Sequence, residues 1–415
     1  MALLKSVWFL CFRPLMKSRF VYLWVVLLGA LPFIQSCQVG KGQANDDSQL
    51  DSSYARAKAY YDSIDFHREA ILSSSRTRKI QKGLAHFYDH VLGPRFNGSM
   101  LVAHKGVIIF EKHKGYADFG QNTPITKNTT FQLASTSKPF TAMGILYLRK
   151  QGKLKLTDSV QRFFPAFPYH GVTIQNMLNH RSGLPKYLYF SSIYWEDMHK
   201  LMSNQDVIDM MIQFRPDPIF PPNRRYNYTN TNYVILGAII QKVTGMSLND
   251  FFKKAFFEPL GMKHTYVYNP NTGQPYPNRS RTYDYRSREI ENECFDGVVG
   301  DKNVYSTAED LFKWSQALYP GHLFTEAELA DAFTPYSNEY PGIKNYGLGW
   351  HLLCYPDSTK VVYHNGWWHG NTSSFYRFIG DSTTLIILSN RFNKKVYEVE
   401  PLWKLMDVAA YASES

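Results

Sequence analysis

The chain has 415 residues, 44% of them hydrophobic, enough to bury a substantial core as one large domain or two smaller ones. Its 29 Tyr and 28 Phe, with no long low-complexity stretch, exclude a linker or a disordered tail. The formal charge of +11 is scattered along the chain, so a solvated surface accounts for it better than a nucleic-acid face does.

Lys17 and Arg19 flank an apolar run, FVYLWVVLLGALPFI (residues 20–34), which is short for a membrane span and of the right length for an export signal. The run ends on Ser36-Cys37, which resembles a bacterial lipoprotein cleavage site. Residues 1–36 are therefore expected to be a lipoprotein-type signal peptide, with Cys37 as the lipidated first residue. Phe33-Ile34-Gln35-Ser36 fits the usual small-residue pattern only loosely, and the alternative is an uncleaved anchor with Cys37 incidental. Either way the bulk of the chain is expected outside the cytoplasm, facing the periplasm or the cell exterior.

Residues 37–51 are polar and contain glycine, as a flexible tether would be. From 52 to 92 the pattern is helical, with Ile80, Leu84, Phe87 and Val91 on one face. His86 and His90 on this helix have the spacing of zinc ligands, but no third candidate stands nearby, and no metal is expected. MLVAH and VIIFEKH flank Lys105-Gly106 and read as a hairpin. FQLASTSK then leads into a helix over about 136–150, ended by Gly152. Residues 156–298 carry mostly helix and loop signals, among them LTDSVQRFFP, TIQNMLNH, NQDVIDMMIQF, YVILGAIIQKVTG and LNDFFKKAFFEPLG. Ser247 and Asp250 form a plausible helix-start box, and Thr307 or Ser306 caps STAEDLFKWSQAL. Four strand-like runs follow: YGLGWHLL, KVVYH, SSFYRFI and TTLIILSN. This order suggests one sheet assembled from both ends of the chain around a helical insertion. Residues 52–155 and 299–415 would form the sheet part and 156–298 the helical part. Cys294 and Cys354 either pair in an oxidising compartment or are small buried side chains.

The chemistry concentrates on FQLASTSKPFTAM. A cap explains one hydroxyl before a helix, but a lysine is unfavourable at the positive end of a helix dipole. Ser135 and Lys138 are three apart and share a helix face. A serine needs a neighbour to take its proton, and a lysine can be that neighbour where a cleft and a helix N-terminus depress its pKa. Ser135 is thus the candidate nucleophile and Lys138 its partner.

One S-x-x-K occurs often by chance, so its company matters. Tyr228-Thr229-Asn230 precedes a helical run, and His364-Asn365-Gly366 ends KVVYH. S-x-x-K, Y-x-N and H-x-G in this order resemble the serine β-lactamase and penicillin-binding-protein superfamily, in its class C and related esterase branch. The resemblance covers about residues 95–395 and includes FNGSMLVAHKG, MLNHRSGLP, FFEPLGM, STAEDL and YGLGW. It implies an α+β fold of the β-lactamase/transpeptidase type, a central antiparallel sheet flanked by helices with a mostly helical inserted domain.

The resemblance also implies roles. Ser135 would form an acyl-enzyme, with Lys138 and Tyr228 sharing the base role and the phenol acting as phenolate or proton relay. Asn230 would orient Lys138 and bind substrate amide. His364 stands where many relatives have a lysine and would offer a weaker, pH-dependent positive charge to a substrate carboxylate. The oxyanion hole would use the backbone N–H groups of Ser135 and of Trp367, next to Gly366, donors typically worth about 3 kcal/mol each. The WWHGN run departs from the glycine-rich stretch usual there. Trp367 and Trp368 would either crowd the cleft or pack beneath the strand. His180 and Ser182, in HRSGL, read as loop architecture. The expected function is a membrane-tethered serine hydrolase without a cofactor, acting on ester, amide or β-lactam carbonyls of small or peptidoglycan-derived substrates. The alternative is a penicillin-recognising sensor that is acylated without efficient turnover.

Overall fold

Lys105 and Gly106 both take positive φ, 50° and 75°, the twist that a two-residue hairpin turn needs. They join β1 (Gly98–His104) to β2 (Val107–Lys114) at the expected place. The computed structural model describes residues 68–406. The expected signal peptide, Cys37 and the tether lie outside the described residues. Among the described residues no helix is long and apolar enough to cross a membrane.

The hairpin forms one edge of a seven-stranded sheet that is antiparallel throughout, β2 outermost, then β1, then five C-terminal strands in reverse chain order. The other five strands come from the C-terminal part: β8 (Lys344–Tyr346), β9 (His351–Cys354), β10 (Lys360–Trp368), β11 (Asn371–Phe378) and β12 (Thr383–Ser389). β1 pairs with β12, Met100 opposite Ile387, which closes the sheet from both ends of the chain. YGLGWHLL divides into β8 and β9 with Gly347–Trp350 between them, so five strands stand where four were expected.

Side-chain alternation sends Leu101, Ala103, Phe375, Ile386 and Leu388 into one core and Met100, Val102, Tyr376, Leu385 and Ile387 into the other. Both faces are buried, which is why β1 and β12 read as continuous apolar runs rather than alternating ones. The second core is closed by α1 (Ser75–His86), through Ile80 and Leu84, and by Leu402 and Trp403 near the C-terminus. The first core is closed by α2 (Lys138–Lys150), where Phe140 stacks on Trp314 with centroids 4.4 Å apart.

The inserted region holds α3 (Ile174–Leu178), α4 (Tyr187–Tyr194), α5 (Asn204–Phe214), α6 (Thr231–Thr244) and α7 (Leu248–Phe252). LTDSVQRFFP forms only a short 3₁₀ turn, Val160–Arg162, while α4 occupies a stretch that carried no helix expectation. Ser247 accepts the Asp250 N–H at 3.1 Å at the head of α7. Thr307 does the same for Asp310 at the head of α8 (Ala308–Ala317). α9 (Glu326–Ala332) and α10 (Glu400–Leu405) complete the helices, and short pairings β3–β4 (Tyr116–Asp118, Thr123–Pro124) and β5–β7–β6 (Phe131–Gln132, Val304–Ser306, Tyr266–Val267) brace the boundary. Cys294 and Cys354 are both free thiols, and no disulfide joins them.

Candidate active site

β5 leads into a 3₁₀ turn, Ala134–Ser137, that opens directly into α2. Ala134 is forced into the left-handed region at φ 50°, a conformation a side chain adopts only when its surroundings fix it. Those surroundings are explicit. The Thr136 hydroxyl lies 3.2 Å from the His364 carbonyl and 2.9 Å from Ser373 Oγ, while Ser137 Oγ accepts the Val304 N–H at 3.0 Å. The other two hydroxyls of AST-S therefore clamp the turn to β10, β11 and β7. Between residues 131 and 140, Ser135 alone is not buried.

Lys138 Nζ lies 2.9 Å from Ser135 Oγ and donates to the Asp301 carbonyl at 2.8 Å. Its side chain is fully buried at the positive end of α2. Burial brings its pKa down to about 7; the Asp301 carboxylate opposes that shift and the Lys302 ammonium adds to it. Both charges behind the lysine are engaged, since Lys302 Nζ donates to Tyr187 Oη at 2.6 Å and Tyr187 Oη donates to Asp301 Oδ2 at 3.0 Å.

Tyr228 completes the triangle. Its hydroxyl hydrogen-bonds Ser135, and its ring centroid is 5.1 Å from Lys138 Nζ. Burial raises the phenol pKa far above its ordinary value, and the Ser135 hydrogen bond offsets only part of that. The phenolate expected as one option is thus disfavoured, and a protonated tyrosine remains. Asn230 begins α6, but its Oδ1 is buried without a hydrogen-bond partner, and the bond that orients the Lys138 amine comes from Asp301.

His180 does more than shape a loop. Its ring lies against Tyr228 with centroids 4.2 Å apart. Its carbonyl accepts Asn227 N–H at 2.8 Å, and its Nδ1 accepts from Thr229 N–H at 3.3 Å and Asn232 Nδ2 at 3.0 Å. The backbone on both sides of Tyr228 is therefore pinned by one residue, held at φ 56°. The HRSGL stretch was visible in sequence, but nothing in it indicated which loop it would hold.

On the opposite wall, β9 pairs with β10 only through Lys360–Tyr363, leaving the next residues of that edge to face the Ser135 turn. Gly366 makes the approach possible: a Cβ there would sit 2.1 Å from the Leu133 carbonyl and 3.1 Å from Ser135 N. His364 corrects an expectation. It is fully buried, with Nε2 3.3 Å from Tyr346 Oη and Nδ1 2.8 Å from the Asn365 carbonyl. Burial, His351 and Lys138 drive its pKa well below the ordinary value, so it offers no positive charge to a carboxylate. Trp367 is 63% exposed and lies near Phe392, whereas Trp368 folds inward over Lys302 and donates to Asp296 at 2.7 Å. Trp368 thus packs inward as one expectation had it, while Trp367 stays on the surface. Among the described residues no group of three His, Cys, Asp or Glu side chains is placed to hold a metal.

A seven-stranded antiparallel sheet flanked by helices, with a part-exposed serine at the head of a buried helix, defines a serine hydrolase of the β-lactamase and penicillin-binding-protein type. Residues 92–410 match the family model described as Beta-lactamase, and the chain belongs to that family. It is 40% identical over 318 residues to penicillin-binding protein 4* of Bacillus subtilis, covering 73% of this chain and 70% of that one. A putative penicillin-binding protein of the same organism is 29% identical, with 62% of its length spanned. D-amino acid amidase from Ochrobactrum anthropi has a similar structure, with TM-score 0.65, 26% identity and coverage of 82% of this chain and 100% of that one. A penicillin-binding protein of Bacillus halodurans shares the fold at TM-score 0.66, 22% identity and coverage of 80% and 99%.

Proposed function

We propose that the protein is a membrane-tethered, extracytoplasmic hydrolase that forms an acyl-enzyme on Ser135 and turns it over. The observation that carries the reading is the 2.9 Å contact between Ser135 Oγ and an amine uncharged above about pH 7. The Lys138 lone pair takes the Ser135 proton as Oγ bonds to the substrate carbonyl carbon, and the Asp301 carbonyl holds one amine hydrogen meanwhile. The N–H groups of Ser135 and Trp367 receive the oxyanion. As the bond to the leaving group breaks, the protonated Tyr228 gives that group its proton and regains one from the Lys138 side. Water then enters by the same path and releases the acid.

A neutral His364 leaves β10 without a charge for a substrate carboxylate, and exposed Trp367 offers an apolar platform beside the hole. Both favour esters and amides of uncharged or aromatic acyl groups over carboxylate-bearing β-lactams. Turnover of a p-nitrophenyl ester through many cycles, lost in Ser135→Ala, supports this reading. A single stoichiometric burst in the wild type would favour the acylated sensor. Fatty-acid labelling lost in Cys37→Ser supports the tether, and a label that survives it contradicts lipidation at Cys37.

A further inference from the structure

Behind Tyr228 lies a cavity that the acylation chemistry leaves unused. It measures about 580 Å³, inside the range of small-molecule sites, and neither Ser135, Lys138 nor Tyr228 lines it. Its inner wall is made of flat rings: Tyr226, Tyr346, His351 and Tyr363. Tyr226 and Tyr346 are 5.6 Å apart at the centroids, and His351 stacks on Tyr363 at 5.2 Å. The far face of His351 runs nearly parallel to Tyr228, 6.1 Å away at 14°, so the cavity ends one ring short of the candidate site.

Two features separate this wall from ordinary aromatic packing. Among the described residues no protein group hydrogen-bonds the hydroxyls of Tyr226 or Tyr363 or the imidazole of His351, and all three side chains are part-exposed on the cavity wall. These groups stand at one wall and ask for a ligand with several hydrogen-bonding edges. At the rim, Glu339 is neutralised by Arg181, while exposed Lys344 carries no ion pair among the described residues. The charge left at the mouth is one ammonium.

We propose that this cavity binds a sugar acid, a pyranose-sized ring bearing hydroxyls and one carboxylate, at a site separate from the acylation cleft. The ring's C–H faces lie on the tyrosines, its hydroxyls meet Tyr226, Tyr363 and His351, and its carboxylate meets Lys344. A plain aromatic acid would cover the two tyrosine hydroxyls without pairing them, and a neutral sugar would leave the ammonium unused. The inference does not rest on the hydrolase reading.

Calorimetry on the full-length chain carrying Ser135→Ala tests it with D-glucuronate, D-glucose and phenylacetate. Glucuronate is expected to bind roughly tenfold more tightly than either of the others, the scale of one charge-assisted contact. Lys344→Ala, a change at an exposed side chain, is expected to erase the advantage over glucose. Tyr363→Phe is expected to weaken both sugars and spare phenylacetate, while Trp367→Ala in the cleft changes none of them. Equal or tighter binding of phenylacetate, glucuronate affinity indifferent to Lys344→Ala, equal loss in Trp367→Ala, or no binding of any of the three would each overturn the proposal.

Discussion

At the scale of single residues, the proposed chemistry depends on an amine whose pKa burial lowers to about 7. Lys138→Met removes the acceptor and is expected to lower kcat/KM by about 10²–10⁴, the usual contribution of a positioned base. Lys138→Arg should do no better, because a guanidinium stays charged at any working pH. The check is ester hydrolysis with Ser135→Ala as the floor. His180 acts through another residue, as a positioning group for Tyr228. His180→Ala is expected to reduce kcat at least tenfold with KM little changed, since a displacement of about 1 Å at a reacting group can cost 10²-fold. His180→Asn, which can still accept from Thr229 N–H, should recover part of that loss. Equal loss in both variants would reduce His180 to packing.

At the scale of elements, the site is a meeting of segments far apart in sequence. Asn204, in the first turn of α5, donates to the Val234 and Val299 carbonyls at 2.8 Å each and accepts from Val299 N–H at 2.8 Å. It ties α5 and α6 to the segment that presents the Asp301 carbonyl to Lys138. Asn204→Ala strands the buried N–H and carbonyl of Val299, so a loss of about 2 kcal/mol or more in urea unfolding is expected, together with reduced activity. Gly366→Ala drives a methyl into the Leu133 carbonyl and Ser373 Oγ, at 2.1 and 2.4 Å, and β10 must retreat from the Ser135 turn. That variant is expected to lose at least 10²-fold in kcat through the oxyanion hole, a larger effect than its shift in melting temperature would suggest.

These segments also show what the sequence discloses and what it hides. Ser135, Lys138, Tyr228 and Gly366 were readable because motif spacing and order survive in one dimension. Asp301 was not, since its contribution to Lys138 is a carbonyl that any residue possesses. His364 was readable as a residue but misjudged as a charge, because its burial depends on Tyr346, His351 and Lys138 packing around it. The same limit explains α4: its run YLYFSSIY has no clean apolar stripe, and it is held in part by the Tyr187 N–H bond to Thr231 Oγ1.

At the scale of the whole molecule, the two cores on either side of one sheet account for cohesion, and among the described residues no disulfide adds to it. Because Cys294 and Cys354 are free, a reductant is expected to leave the melting temperature unchanged; a drop on reduction would show that the thiols pair. The Ser135 turn and α2 belong to the sheet part and Tyr228 to the helical insert, so the candidate triangle exists only where the two parts meet.

The most direct measurement is the pH dependence of kcat/KM for a neutral ester from pH 5 to 9. Lys138 must be unprotonated to accept the Ser135 proton, so the rate should rise with pH through a midpoint at about 7. A profile flat across that interval, or one that climbs only near pH 10, would mean that the lysine beside Ser135 is an ordinary cation and not the base.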